Sequence, residues 1–202
     1  GTKNPKLNLI KELRPDLIIA NKEENNLADI ENLREEFPVW TSDVTDLTKA
    51  LDMIRFVGLL TGTVSKAEEI IDQIEWHRNY LKTTELQKSA PRRVCYLIWK
   101  NPYMSVGSDT FIHDMLESNG FENVFADRTR YPETSIDEIM ERRPELVFLS
   151  SEPYPFKEKD KADFQPIKTY LVDGESFSWY GSRLLQSFSY FRSLLTDIQT
   201  FS

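Results

Sequence analysis

Apolar and polar positions along the chain repeat one grammar: an amphipathic helix, a proline near its end, a short apolar strand and a polar loop. In "LNLIKELRPDLIIANKEEN", Leu7, Ile10 and Leu13 recur at helical spacing. Arg14-Pro15 then ends the helix, because the residue before a proline is kept out of the α region. "DLIIA" follows as a short buried strand. The grammar returns in "SIDEIMERRPELVFLSSEP", where Ser135 and Glu138 form a capping box and Ile136, Ile139 and Met140 make the apolar face. Pro144 punctuates ahead of "ELVFLS". The likeness predicts two similar α/β lobes, each presenting a loop after the strand that follows R-P-D/E-L.

Further strands are predicted over 37–43, 92–99, 122–126 and 168–174. Their apolar runs are short and mostly not alternating, as in parallel strands covered on both faces. Helices are predicted over 27–36, 46–61, 65–88, 109–118, 135–142 and 182–198, and strands alternating with helices make the class α/β. In the 65–88 segment Ser65 and Glu68 suit a capping box, and Ala67, Ile70, Ile71, Ile74 and Leu81 form a thin apolar stripe among charges. Such a helix spans roughly 36 Å at 1.5 Å per residue. That length suits a strut between lobes; the alternative is a surface helix of a single domain.

Composition narrows the function classes. The chain has 202 residues, 40% hydrophobic and 29% charged, so it can bury a sizeable core. A formal charge of −8 argues against nucleic acid as a partner, since phosphate binding needs a basic face. One cysteine, Cys95, sits among β-formers in "RRVCYLIW", so there is no disulfide framework and the thiol reads as core packing. Two histidines, His77 and His113, are too few and too isolated for a histidine-rich metal site. Ser108, Asp109 and His113 read as helix capping rather than a triad, and neither a nucleophile elbow nor a phosphate-binding glycine motif occurs. No apolar run reaches the roughly 18 residues of a membrane span, and no signal peptide is seen.

In open α/β sheets, ligands bind beyond the carboxyl ends of the strands. Those ends carry Trp99, Tyr103, Tyr131, Tyr154, Phe156, Phe177, Trp179 and Tyr180, a concentration of aromatics in loops that core packing does not explain. Rings with a few fixed polar groups suit a large, partly flat organic ligand. Paired carboxylates such as Glu152 and Glu175 would instead serve a hydrolase, if the fold held them at the needed separation.

The segments "GTKNPKLNLIKELRPDLIIANKEEN", "YLIWKNPYMSVGSDTFIHDML", "GFENVFADRTRYPE", "LVFLSSEPYPFKEK" and "LVDGESFSWYGSRLL" resemble the helical-backbone (class III) substrate-binding proteins of ABC importers, the group covering vitamin B12, haem and ferric-siderophore receptors. The resemblance runs nearly the whole length in the expected order. It implies two Rossmann-like lobes with parallel sheets joined by one long backbone helix: residues 1–64, a linking helix over 65–90, and 91–202. It further implies a ligand cleft between the lobes and acidic surface residues that dock against permease arginines. The carried-over lining is Asn21 and Glu23 from the first lobe, and Trp99, Tyr103, Tyr131, Glu152, Tyr154, Phe156, Trp179 and Tyr180 from the second. Arg183 would pair either a ligand carboxylate or Asp173 and Glu175. Members that bind a bare metal ion use histidine clusters, so a chelated ligand is expected: an iron chelate, cobalamin or haem, with no covalently bound cofactor.

By the same resemblance the chain enters at an internal motif, so the N-terminal lobe is expected to lack its first strand–helix–strand unit. Unpaired strand edges there would offer a route to self-association. The expected partners are an ABC permease and ATPase, and the expected place is the periplasm or the cell surface, with the cytoplasm left open. Two other classes stand beside this reading: a sensor or protein-interaction module on the same fold, and a hydrolase using Glu152.

Overall fold

The computed structural model describes residues 1–83 and 90–200; the end of the helix expected over 65–88, and residue 89 of the 65–90 segment, lie outside them. The two R-P segments are built alike. Helix α1 (Leu7–Leu13) is closed by Arg14 in the left-handed conformation, φ 45°, ahead of Pro15. Helix α6 (Ile136–Glu141) is followed by Arg143 at φ 49° ahead of Pro144. Each arginine donates its N–H three residues back, Arg14 to Lys11 O and Arg143 to Met140 O. Few side-chain-bearing residues enter this region, and the following proline disfavours the right-handed alternative.

The chain forms two compact units, Gly1–Val44 and Thr45–Ser202. In the first, strand β1 (Ile18–Asn21) pairs in parallel with β2 (Val39–Ser42), Ile18 opposite Val39. Helix α2 (Leu27–Arg34), capped by the Asn26 side chain, lies between them in sequence and buries Ile30 and Leu33.

The second unit begins with α3 (Leu47–Thr61) and α4 (Val64–Thr83). They approach closely: a Cβ on Gly58 would lie 2.5 Å from the Ala67 Cβ. Ser65 falls inside α4 instead of capping it, and Glu68 is taken by Arg55, 2.8 Å away, so no capping box forms there. The predicted stripe is largely real, with Ala67, Ile71, Ile74 and Leu81 buried.

A four-stranded parallel sheet follows, in the order β5 (Phe121–Asn123), β3 (Arg92–Leu97), β7 (Leu146–Ser150), β8 (Lys168–Val172). Its two central strands are covered on both faces, as their unbroken apolar runs predict: β7 is buried at every position. Alternate β7 residues serve opposite layers. Val147 and Leu149 join Cys95, Leu97, Phe125, Ile139 and Phe164, while Phe148 meets the rings of Phe121, Tyr170 and Phe177. Cys95 is wholly buried, and burial pushes its thiol far up, so it packs as a core group.

Helices α5 (Phe111–Ser118), α7 (Gly174–Ser178) and α8 (Leu184–Thr200) complete this unit with a 3-10 helix, Glu158–Phe164, and a small antiparallel pair, β4 (Tyr103–Met104) with β6 (Glu133–Thr134). The strand expected over 168–174 stops at Val172 because Asp173 already stands at the N-terminal boundary of α7. The strand expected over 122–126 ends at Asn123, whose side chain accepts the Phe125 N–H and turns the chain.

Candidate functional site

Parallel pairing of β3, β7 and β8 brings their carboxyl ends to one edge of the sheet. The β7 loop is built from its first residue. Ser150 Oγ accepts from the Tyr96 hydroxyl at 3.1 Å and from the Glu152 N–H at 3.4 Å, and donates to the Glu152 carbonyl at 2.6 Å. Burial, opposed by that bond to Ser150, pushes the Tyr96 phenol well above its usual range. The loop then docks on the end of β3, since the Tyr154 N–H donates to the Ile98 carbonyl at 3.2 Å. Trp99 and Tyr154 meet edge to face with centroids 5.8 Å apart, and Tyr154 meets Phe156 at 4.7 Å. Trp99 is 40% exposed.

The β8 side closes against this loop. Gly174 allows the approach: a Cβ there would lie 2.4 Å from Ser150 Oγ and 2.6 Å from Glu152 Cγ. Its N–H donates to Ser151 Oγ at 2.9 Å. Glu152 Oε1 accepts from the Trp179 indole N–H at 2.8 Å and lies 2.9 Å from Ser178 Oγ. Trp179 itself is 51% exposed.

A charged brace stands behind the β3 loop. Lys100 Nζ lies 2.7 Å from both Asp160 and Asp163, and the Tyr103 hydroxyl donates to Asp163 at 2.6 Å. Hydrogen bonds to Asp160 and Asp163 hold the Lys100 ammonium above its ordinary range, and the Lys100 bond holds both carboxyls below theirs. Burial, then the bond to Asp163, pushes Tyr103 up to about 12. Asp160 also accepts the Lys157 N–H at 2.9 Å, closing the start of the 3-10 helix.

The structure thus brings Trp99, Tyr154, Glu152 and Trp179 to one rim through two contacts, Trp99–Tyr154 and Glu152–Trp179. Phe156 lies in the core, 6% exposed, presenting its ring to Tyr154 and the layer beneath. Phe177, expected in a loop, is an α7 core residue ringed by Tyr96, Phe148 and Phe191. Tyr103 packs edge-on against Phe164 and serves the brace. Tyr131 lies under the Arg130 guanidinium, 5.4 Å away, and Tyr180 meets Phe111 at 5.2 Å. Arg183 pairs Asp173 at 2.9 Å and Glu175 at 3.2 Å, so its charge is met from within the unit.

In the first unit, Asn21 ties its own loop: Oδ1 accepts the N–H groups of Glu23 and Glu24, and Nδ2 donates to Ser42 Oγ at 2.9 Å. Glu23 is half-buried beside it. The three residues of the discounted triad are engaged separately: Ser108 donates to Arg128 O, Asp109 accepts the Arg130 N–H, and His113 Nδ1 lies 3.2 Å from Asn123 Nδ2, while the capping of α5 falls to Thr110. Among the described residues no cluster of three or more His, Cys, Asp or Glu could hold a metal ion, and no helix is long and apolar enough to cross a membrane.

Sequence reading missed Lys100, Asp160, Asp163, Ser178 and Gly174. A lysine flanked by Trp99 and Asn101 in a strand-end loop was a usable signal; its carboxylate partners, 60 and 63 residues on, were not.

A family profile described as periplasmic binding protein matches residues 1–169. A vitamin B12-binding protein of Yersinia pestis (strain Pestoides F) is 25% identical over 143 residues, 70% of this chain; the chain spans about half the length (51%) of that relative. The solved structure of the periplasmic vitamin B12 binding protein BtuF of Vibrio cholerae superposes with a TM-score of 0.80 at 19% identity, covering 98% of this chain and 81% of that one. The periplasmic heme-binding protein HutB of Vibrio cholerae superposes at 0.76 with 20% identity, covering 96% and 82%. The chain belongs to the periplasmic binding protein family.

Proposed function

We propose that, as a member of that family, the chain is the substrate-binding component of an ABC importer and holds a chelated-metal ligand: cobalamin, haem or a ferric siderophore. The observation that carries this reading is the pair of exposed indoles at one sheet edge, Trp99 against Tyr154 and Trp179 against Glu152. Ring faces stack on a corrin, porphyrin or catecholate, and the hydroxyls nearby select the ligand's periphery. The work is binding and release to a permease and its ATPase, with no bond made or broken, on the outer side of the cytoplasmic membrane, periplasmic or anchored at the cell surface. The names of the relatives above, vitamin B12- and heme-binding, support a macrocyclic ligand.

Titration of the chain with cyanocobalamin, haemin and a ferric siderophore, followed by tryptophan emission corrected for ligand absorbance, tests it. One of the three is expected to quench with a dissociation constant near or below about 10 μM. Trp179→Ala is expected to weaken that binding about tenfold, the effect of one aromatic anchor. No quenching by any of the three at about 100 μM, a free energy of only about −5 kcal/mol, would sink the reading.

A further inference from the structure

An indole that is half exposed ordinarily gives its N–H to water and turns among rotamers. Trp179 instead aims its N–H at Glu152 Oε1, 2.8 Å away, and its backbone N–H donates to the Glu175 carbonyl at 3.0 Å. The acceptor is just as constrained. Glu152 lies two residues after Ser150, whose Oγ is bonded to both its N–H and its carbonyl, and its Cγ lies 2.6 Å from where a Cβ on residue 174 would stand. Ser178 Oγ, 2.9 Å from the same carboxylate oxygen and 2.9 Å from the Gly174 carbonyl, ties the turn of α7 to the pair. The ring face is therefore set by groups on two strand ends that share no local sequence.

We propose that Glu152 is a positioning residue: its carboxylate holds the Trp179 indole in one orientation at the rim and acts on a ligand through that ring, not by touching the ligand itself. This deepens the binding reading above, and rests on it only for what the fixed ring then does. Fixing an exposed aromatic before a ligand arrives removes part of the ordering cost that binding otherwise carries. The bond needs an acceptor oxygen, not a negative charge, and that separates positioning from direct charge recognition.

The test has two arms. With Trp40, Trp76 and Trp99 replaced by phenylalanine, Trp179 is the one indole left, and time-resolved anisotropy of the ligand-free chain reads its local motion. Glu152→Gln, which keeps an acceptor oxygen, is expected to leave that motion as in the parent; Glu152→Ala is expected to free it, with far-UV circular dichroism unchanged. Equal motion in the parent and in Glu152→Ala overturns the proposal, whatever the chain binds. In the second arm, on the native tryptophan set, Glu152→Ala is expected to weaken the quenching ligand about tenfold, the worth of one hydrogen bond, with Glu152→Gln within about twofold of the parent. Loss in Glu152→Gln as large as in Glu152→Ala would mean the charge meets the ligand directly, and also overturns it. Absence of binding by the parent sinks the transport reading alone, since the first arm needs no ligand.

Discussion

Strands β1 and β7 follow the same R-P-D/E-L signal, leave the same left-handed arginine, and yet end in different chemistry. Aligned on their prolines, Ile19 stands where Phe148 does, Asn21 where Ser150 does, and Glu23 where Glu152 does. In the first unit β1 has, among the described residues, one partner strand, β2; Ile19 is 48% exposed, and Asn21 ties its loop to residues within four positions and to Ser42 on β2. In the second, β7 lies between β3 and β8, Phe148 is wholly buried, and Ser150 and Glu152 bond outward to Tyr96, Ser178 and Trp179. A strand with a neighbour on each side can have its loop held from both directions. The same local sequence grammar thus ends in a turn bonded to itself and to β2 in one place and in a cross-braced rim in the other.

The largest expected effect tests that difference in the core. Phe148→Ala removes a ring shared by Phe121, Tyr170 and Phe177 and is expected to cost about 4 kcal/mol in urea unfolding. Ile19→Ala, at the matching place on β1, is expected to cost about 0.5 kcal/mol, as an exposed substitution does. Comparable losses would mean the two strands are supported alike.

Next comes the brace. Lys100→Met strands the buried Asp160 carboxylate without its cation and is expected to cost about 3 kcal/mol at pH 7. The pH profile carries the sign. The Asp160 and Asp163 carboxyls are held low, so their contribution is complete above the unfolded value near pH 4 and is lost as pH falls through the lower folded values. The Lys100 ammonium is held high, so its contribution is complete below about pH 10 and is lost as pH rises further. The gap between parent and Lys100→Met should therefore be widest between about pH 4 and pH 10 and narrow on both sides. A gap constant down to about pH 2 would show that the ion pairs do not stabilise the loop.

The smallest effect lies at the strand ends themselves. Ser150→Ala leaves the buried Tyr96 hydroxyl without its acceptor and is expected to cost about 2 kcal/mol, against about 1 kcal/mol for Asn21→Ala, whose loop remains open to water. Hydrogen exchange should show the Ser150 change spreading to the Tyr154 amide on the β3 side and the Gly174 amide on the β8 side. A larger loss at Asn21 than at Ser150 would reverse the comparison.

Much of this was legible along the chain. The helix-proline-strand grammar located α1, β1, α6 and β7, and the unbroken apolar run of "ELVFLS" foretold a strand buried on both faces. Ser135 caps α6 as expected, but the other half of its box is absent, because Glu138 is drawn to Arg128 and Arg142. Loop aromatics marked the strand ends, but the pattern did not separate Trp99 and Trp179, which are exposed, from Phe156 and Phe177, which are core. Apolarity says that a ring prefers burial; it does not say which element will fold over it.

From the sequence alone follow the α/β class, the alternation of its elements, the punctuation by Arg14-Pro15 and Arg143-Pro144, and a strand-end loop rich in rings beside Glu152. Those are matters of local sterics and periodicity, settled within a few residues of each position. The tertiary structure alone decided that Glu152 meets Trp179 across 27 residues, that Lys100 meets Asp160 across 60, and that Gly174 must lack a side chain to let the first of these form. Such pairs are chosen by the strand order β5-β3-β7-β8, which places distant loops side by side at distances no local pattern encodes.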